Sequence, residues 1–474
     1  MAGGELGNMD FLLSVFPLLL FVFPAASPLL PTAAAASAPV KAPLFPKDAI
    51  PTQSGYLPVN ATSSSAMYFA YHEAQQPRQP LPKTPLLVWL QGGPGCSSLL
   101  GNFFELGPWL VVNSTAGVAL ARNPYSWNRL FGLLFLDNPL GSGFSVAADP
   151  SEIPRDQEAV AVHLWTALQA FLSSDPSFRS RPLYITGESY AGKYIPSVGY
   201  YILRQNSRVS AARRINLLGV AIGSGLTHPV AQVVTHADGV YFTGLINERQ
   251  KAQLEQIQSA AQKLALAGKW AAASDARITM VEWLENATGL VTLYDLSKTK
   301  PYESGLVRTL LREEEAKAAL GVDRRAAEWE ICSKKVAKVL HADVMKSAKG
   351  EVEGLLGKVR VLLYQGLYDL MEGGVSTAAW LRELQWEGLE GFLAAERRVW
   401  RLGAAGERGG RLAGYVQSVR WLSEVVVAGA GHLVPADQGQ SAQVMIESWV
   451  LEEDPFGGHQ DDANRTGGDL LKSH

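Results

Sequence analysis

The sequence predicts an α/β fold, a mostly parallel central sheet flanked by helices with a helical insertion above the strand tips. Three observations predict it. Six short apolar runs, Leu86–Leu90, Leu133–Leu136, Leu183–Thr186, Leu217–Ile222, Val359–Tyr364 and Glu424–Val427, each end in a glycine-rich or polar turn, as buried parallel strands do. Helical stretches such as Asp156–Leu172 lie between them, and strands alternating with helices make an open sheet whose ligands sit beyond the carboxyl ends of the strands. The alternation breaks over residues 227–346, where Glu248–Ala267 and Ser274–Leu284 are rich in Ala, Gln and Leu at helical spacing. These read as an insertion over the site face, or more plainly as a pair of surface helices.

The chain has 474 residues, 47% hydrophobic and 18% charged, enough for a large core. The candidate functional residues are spread from Gln91 to His432, which favours one domain carrying an insertion over several separate domains. The expected organisation is a signal peptide at 1–26, a flexible lead-in at 27–46, core at 47–226, helical insertion at 227–346, core again at 347–451 and a polar tail at 452–474. A net charge of −3 without a basic stripe does not suggest a nucleic-acid partner, and none is expected.

Taken in chain order, Phe11–Phe23 is an apolar run of secretory length, too short for a comfortable membrane span and followed by the small residues Ala25, Ala26 and Ser27. It lacks the usual preceding Lys or Arg, and a membrane anchor is the competing reading. No other segment reads as transmembrane. Asn60, Asn113, Asn286 and Asn464 each open an N-x-S/T acceptor sequence, which agrees with a secretory route ending in a vacuole or lysosome or outside the cell. The two cysteines, Cys96 and Cys332, would form one disulfide in an oxidising compartment; two buried thiols are the alternative.

Gln91-Gly92-Gly93-Pro94-Gly95 follows the first strand of the alternating series. Glycines there let the backbone approach a reacting carbonyl, and the plain alternative is a glycine turn. Gly187-Glu188-Ser189-Tyr190-Ala191-Gly192 lies between an apolar run and helix-compatible sequence. This is strand, sharp turn, helix, with a serine at the apex and small residues where strand and helix cross. The turn lifts the Ser189 hydroxyl clear of the backbone and aims free N–H groups at one spot; those of Gly93 and Tyr190 are the natural oxyanion donors. A serine nucleophile needs a base and the base an orienting acid. Asp369 follows the strand Val359–Tyr364, and His432 follows Glu424–Val427 in a glycine-rich loop. Their order, nucleophile, acid, base, is the one this layout demands. An Asx turn is the structural alternative for Asp369. The chemistry needs neither metal nor cofactor. The basic, glycine-rich stretch Arg397–Arg411 reads as a processed linker or a hairpin loop, and the tail from Glu452 to His474 as disordered.

With these segments in hand the chain resembles a serine carboxypeptidase of the α/β-hydrolase fold, the plant vacuolar or secreted branch most of all. The resemblance rests on Ser54–Asn60, Trp89–Ser98, Asn102–Pro108, Asn123–Asn128, Leu136–Ser145, Gly187–Pro196 and Gly429–Gln438, which together span most of the chain. It implies removal of C-terminal residues from peptides and proteins at acid pH, through an acyl-enzyme, with Ser189, Asp369 and His432 as the triad and Gly93 and Tyr190 as the oxyanion hole. It also implies a site for the substrate's terminal carboxylate built from Gln91, Gly92, Glu105 and Glu188. Two buried carboxyl groups close together cannot both ionise easily, so a protonated pair would donate to a carboxylate and an ionised pair would repel it. Cys96 and Cys332 match positions that pair in the family. Gln91 stands where many members have asparagine, and the family usually has several disulfides where this chain has at most one. The same fold also supports acyl transfer from sugar esters, against which Glu188 argues, and a non-catalytic binding role. A homodimer is left open.

Overall fold

The computed structural model describes residues 44–60, 62–115, 117–403 and 410–456; the signal-peptide reading, nearly all of the lead-in, Asn464 and most of the polar tail lie outside the described residues. Twelve strands form among them. They are β1 (Gln53–Pro58), β2 (Ala66–His72), β3 (Leu86–Leu90), β4 (Trp109–Ser114), β5 (Gly117–Arg122), β6 (Gly132–Leu136), β7 (Leu183–Glu188), β8 (Leu217–Gly223), β9 (Arg360–Gly366), β10 (Arg398–Leu402), β11 (Arg411–Val419) and β12 (Leu422–Val427). Ten make one sheet in the order β1-β2-β6-β3-β7-β8-β9-β12-β11-β10, and β4 pairs with β5 apart from it. The six strands expected from sequence are the central ones, and all five pairings among them are parallel. The margins, β1-β2 and β11-β10, are antiparallel. Arg397–Arg411 therefore reads as a hairpin: β10 pairs with β11 around a tip outside the described residues.

The central strands are buried on both faces, and strict alternation sends their side chains two ways. Leu86, Val88 and Leu90 of β3 enter one core cluster while Leu87 and Trp89 enter the other. Helix Gln157–Ser174 covers the first face. Its N-cap Asp156 accepts from the Ala159 N–H, and Val160, Leu164, Ala167, Leu168 and Phe171 form its buried stripe. Helix Gly439–Leu451 covers the other face through Met445, Ile446 and Trp449.

The insertion holds the expected helix pair, Glu248–Leu266 and Trp270–Thr288. A reciprocal Asn247–Gln250 cap starts the first, and Gly289 with φ 63° ends the second. Leu254, Ala261, Ala273, Met280 and Leu284 join them in a core of their own. From 289 to 346 the insertion is mostly loop and short helices, and it reaches the tips of the central strands at several points.

Candidate active site

β7 delivers Ser189. The backbone turns there through φ 62°, a left-handed conformation costly for a residue with a Cβ. It is held by Ser189 N donating to Gly223 O at 2.9 Å and by Ser189 O accepting from Leu226 N at 3.0 Å. The crossing of strand and helix leaves no room for a side chain at Gly187, where a Cβ would lie 2.1 Å from Leu90 O. Two residues past the serine the small residue is Ala191, fully buried, and glycine follows at 192.

The loop after β3 meets this turn. A Cβ on Gly92 would sit 2.6 Å from Tyr190 N and 2.8 Å from Ser189 Cβ, so the two backbones touch. Neither the Gly93 nor the Tyr190 N–H donates to another described group. The loop is pinned from below by buried Asp137, which accepts from Ser97 Oγ at 2.5 Å, Ser98 N at 2.8 Å and Phe144 N at 2.8 Å. Burial pushes the Asp137 carboxyl up to about 6. From outside it is pinned by the Cys96–Cys332 disulfide, flanked by Ser97 N to Ile331 O and Ser333 N to Gly95 O, each 2.9 Å.

His432 and Asp369 meet at the tips of β12 and β9. His432 Nδ1 lies 2.8 Å from Asp369 Oδ2, and both residues are buried. The other Asp369 oxygen accepts from Met371 N at 2.7 Å and Glu372 N at 3.2 Å, so an Asx turn and the contact with His432 coexist. Burial opposes the imidazolium, but the Asp369 carboxylate, with Glu372 and Glu105 beyond it, outweighs that and raises the ring's pKa above the ordinary histidine value. His432 Nε2 is buried and has no hydrogen-bond partner, and none joins it to Ser189.

The carboxyl pair is the most unusual part of the site. Gln91 Nε2 donates to Glu188 Oε1 at 2.7 Å and to Glu105 Oε1 at 3.2 Å, so one amide serves two carboxyl groups. Trp89 Nε1 donates to Gln91 Oε1 at 2.8 Å, which fixes the amide's orientation. Glu105 arrives on a π-helical turn, Gly101–Glu105. The second oxygens, Glu105 Oε2 and Glu188 Oε2, are buried without a partner. Burial, then the charge of Glu105, pushes the Glu188 carboxyl well above the carboxylate range. Burial pushes Glu105 up to about 7, against the pull of hydrogen bonds from Gln91 and Glu188. Beside the pair opens a cleft of ≈ 560 Å³ lined by Phe104, Lys298, Lys300, Tyr302 and Asp437.

Every sequence-expected site residue within the described chain falls in this region except the glycosylation candidates. Asn113 and Asn286 are exposed and Asn60 half-buried. Sequence reasoning missed Asp137, Glu372, Arg277 and Tyr294. Arg277 Nη2 donates to Glu372 Oε1 at 2.7 Å, and the Tyr294 ring stacks on His432. Asp137 lies within Leu136–Ser145, one of the segments that carry the resemblance, but the other three carry no local signal.

Comparison with known proteins agrees with this geometry. Residues 43–452 match the profile of the family described as serine carboxypeptidase, peptidase S10. The chain is 52% identical to serine carboxypeptidase-like 50 of Arabidopsis thaliana over 88% of its length and 91% of the relative's. It is 35% identical to a venom serine carboxypeptidase of Apis mellifera, covering 84% of each chain. Among solved structures it shares the fold of a prohormone-processing carboxypeptidase from Saccharomyces cerevisiae, with a TM-score of 0.75 at 24% identity, over 84% of this chain and 91% of that one.

Proposed function

The chain belongs to the serine carboxypeptidase family, and on that premise we propose that Ser189, His432 and Asp369 perform the reaction on the terminal peptide bond, with acid preference set by Glu105 and Glu188. The protein is a serine-type carboxypeptidase working through an acyl-enzyme. In the proposed sequence His432 Nε2 takes the Ser189 proton as Oγ bonds to the scissile carbonyl carbon. The N–H groups of Gly93 and Tyr190 receive the oxyanion, a donor pair of which each member is typically worth ~10²–10³ in rate. The C–N bond breaks as His432 returns the proton to the departing amine, and water then repeats the cycle to free the acyl group. Asp369 holds the imidazole and balances its charge.

One observation carries the exopeptidase reading: two buried carboxyl groups sharing one amide beside the nucleophile, each with an oxygen left unpartnered. An apolar substrate gives such a pair no reason to be there. A substrate carboxylate does, because protonated Glu105 and Glu188, oriented by the Gln91 amide, can each donate to it while the Gly92 N–H adds a third donor. The leaving residue's side chain then points to the cleft beside Phe104 and Tyr302. The test is cleavage of the peptide bond in a blocked dipeptide, which releases a free amino acid, and in its C-terminal amide, which releases an amino-acid amide. Rapid cleavage of the first and loss of at least ~10²-fold on the second is expected; equal rates would refute the carboxylate site, and acyl transfer from acyl-glucose without peptide cleavage would put the transferase in its place.

A secretory location accords with the disulfide and the exposed acceptor asparagines. No helix among the described residues is long and apolar enough to cross a membrane. Glycosidase-induced mass shifts at Asn60, Asn113 and Asn286 check the location, and light scattering checks the homodimer.

A further inference from the structure

We propose that Tyr294, carried by the insertion, is a positioning residue for the general base, its ring forming a wall that holds the His432 imidazole at its working angle. The inference rests on the catalytic reading above and extends it to a residue outside the α/β core. The two rings lie nearly parallel, at 17°, with centroids 4.4 Å apart. The backbone of the same residue is bound to the same histidine: His432 N donates to Tyr294 O at 2.6 Å. Neighbouring residues clamp the acid's loop as well. Leu370 N donates to Leu293 O and Leu296 N to Tyr368 O, each at 3.1 Å. Gly431 has no space for a side chain, since a Cβ would stand 2.3 Å from Tyr294 O and 2.5 Å from Asp295 Cβ. Residues 293–296 are thus wedged between the loops that carry Asp369 and His432.

The physical need follows from the histidine's bonding. One hydrogen bond at Nδ1 fixes a point on the ring but leaves it free to tilt about that point. Nε2 has no partner to stop it. A flat aromatic face at stacking distance removes the tilt and keeps water off that side of the imidazole. Tyr294 remains 40% exposed, so its contribution is this contact rather than core burial. The charged groups that raise the His432 pKa are Asp369 and Glu372 from the loop after β9 and Glu105 from the π-helical turn, and Asp437 accepts from the adjacent Gly431 N–H at 2.9 Å. The insertion adds Arg277, paired with Glu372 at 2.7 Å, and Asp295, packed against Gly431; the Tyr294 ring itself is uncharged.

Inactivation by a neutral fluorophosphonate isolates this role, because the probe has no carboxylate for Glu105 and Glu188 to read. The rate of Ser189 modification is followed by mass against pH in the full chain. Tyr294→Phe should react within about threefold of wild type and Tyr294→Ala about 10- to 100-fold more slowly, the range for a misplaced catalytic group. Water admitted by Tyr294→Ala should also move the acid limb to higher pH, since relief of burial favours the imidazolium by more than the loss of the aromatic face disfavours it. A purely structural role would lower the melting temperature without moving that limb. If Tyr294→Ala does not fold, Tyr294→Leu carries the same expectation of slowing. A reactive wild type with an equally reactive Ala or Leu variant overturns this inference alone, as does a Phe variant as slow as Ala. A wild type that is not modified at Ser189 overturns the catalytic reading and this inference with it.

Discussion

Replacing Glu105 by glutamine should abolish the fall in activity above neutral pH. Burial pushes both carboxyls up, Glu105 to about 7 and Glu188, with the charge of Glu105 added, well above the carboxylate range. On the proposed reading the neutral pair donates to the substrate's carboxylate, and an ionised pair meets it with a like charge. Two such charges ~4 Å apart at an effective dielectric of ~20 repel by ~4 kcal/mol, or about 10³ in kcat/KM. With so large a penalty the ionised enzyme contributes almost nothing, and kcat/KM should drop roughly tenfold per pH unit above 7 until that floor. His432 cannot cause this fall, because deprotonating a general base raises the rate. The two groups cooperate: an ionised Glu105 is one of the charges that favour the imidazolium, so protonating it also releases the neutral base.

The assay is kcat/KM for a blocked dipeptide from pH 5 to 9, for wild type and Glu105→Gln, with a dipeptide ester that lacks the carboxylate as control. Wild type should show the fall on the acid substrate and lose it on the ester; the variant should be flat above pH 7 on both. A second readout is stability. A carboxyl raised from its ordinary 4.5 to about 7 by folding supports the fold below 4.5 and withdraws that support as pH rises through 7. The difference is roughly 3 kcal/mol, so the variant should be the more stable protein at pH 8. A variant that keeps the wild-type alkaline fall would refute the argument that this pair sets the pH range.

Other outcomes follow from the same geometry. Ser189→Ala should lower peptide hydrolysis by more than about 10⁴-fold while leaving the melting temperature within a few degrees, and labelling by the fluorophosphonate should vanish. Gly92→Ala should cost ~10²–10³ in kcat, because the new methyl would press on Tyr190 N and displace an oxyanion donor; circular dichroism would show the fold retained. Replacing Cys96 and Cys332 together by alanine opens a bridge across 236 residues of sequence and should cost ~2–5 kcal/mol by denaturant unfolding, with a measurable loss of kcat because the bridge anchors the oxyanion loop.

The central sheet was legible because its strands are apolar runs with glycine-rich ends, and the site was legible because catalysis on such a sheet uses those ends. Ser189, Asp369 and His432 each follow a strand that the pattern exposes. The antiparallel margins were not, since β1, β2, β10 and β11 lack that contrast: β2 is wholly buried and β10 mostly exposed. Glu105 came from resemblance, and nothing in its own neighbourhood announces a π-helical turn. Tyr294, Arg277 and Asp343, the last bound to the Tyr190 hydroxyl, escaped because their partners lie far off in sequence and ordinary aromatic or charged residues leave no local trace.

Those missed residues alter what the insertion is. Each of its contacts reaches a different catalytic part. Tyr294 stacks on His432, and Arg277 holds Glu372, whose N–H binds Asp369. Asp343 accepts from the Tyr190 hydroxyl at 2.7 Å and pairs with buried Lys193 at 3.3 Å, so the proposed oxyanion donor and the first turn of its helix are tethered too. Cys332 is bonded to the loop that bears Gly93. A lid that opened as a rigid body would have to break all four, including a buried ion pair whose separation leaves an uncompensated charge. The insertion is therefore better understood as a fourth wall of the catalytic centre. Substrate entry is then left to the solvent-facing side of the site, at the exposed edge of Tyr294 and the cleft beside Tyr302.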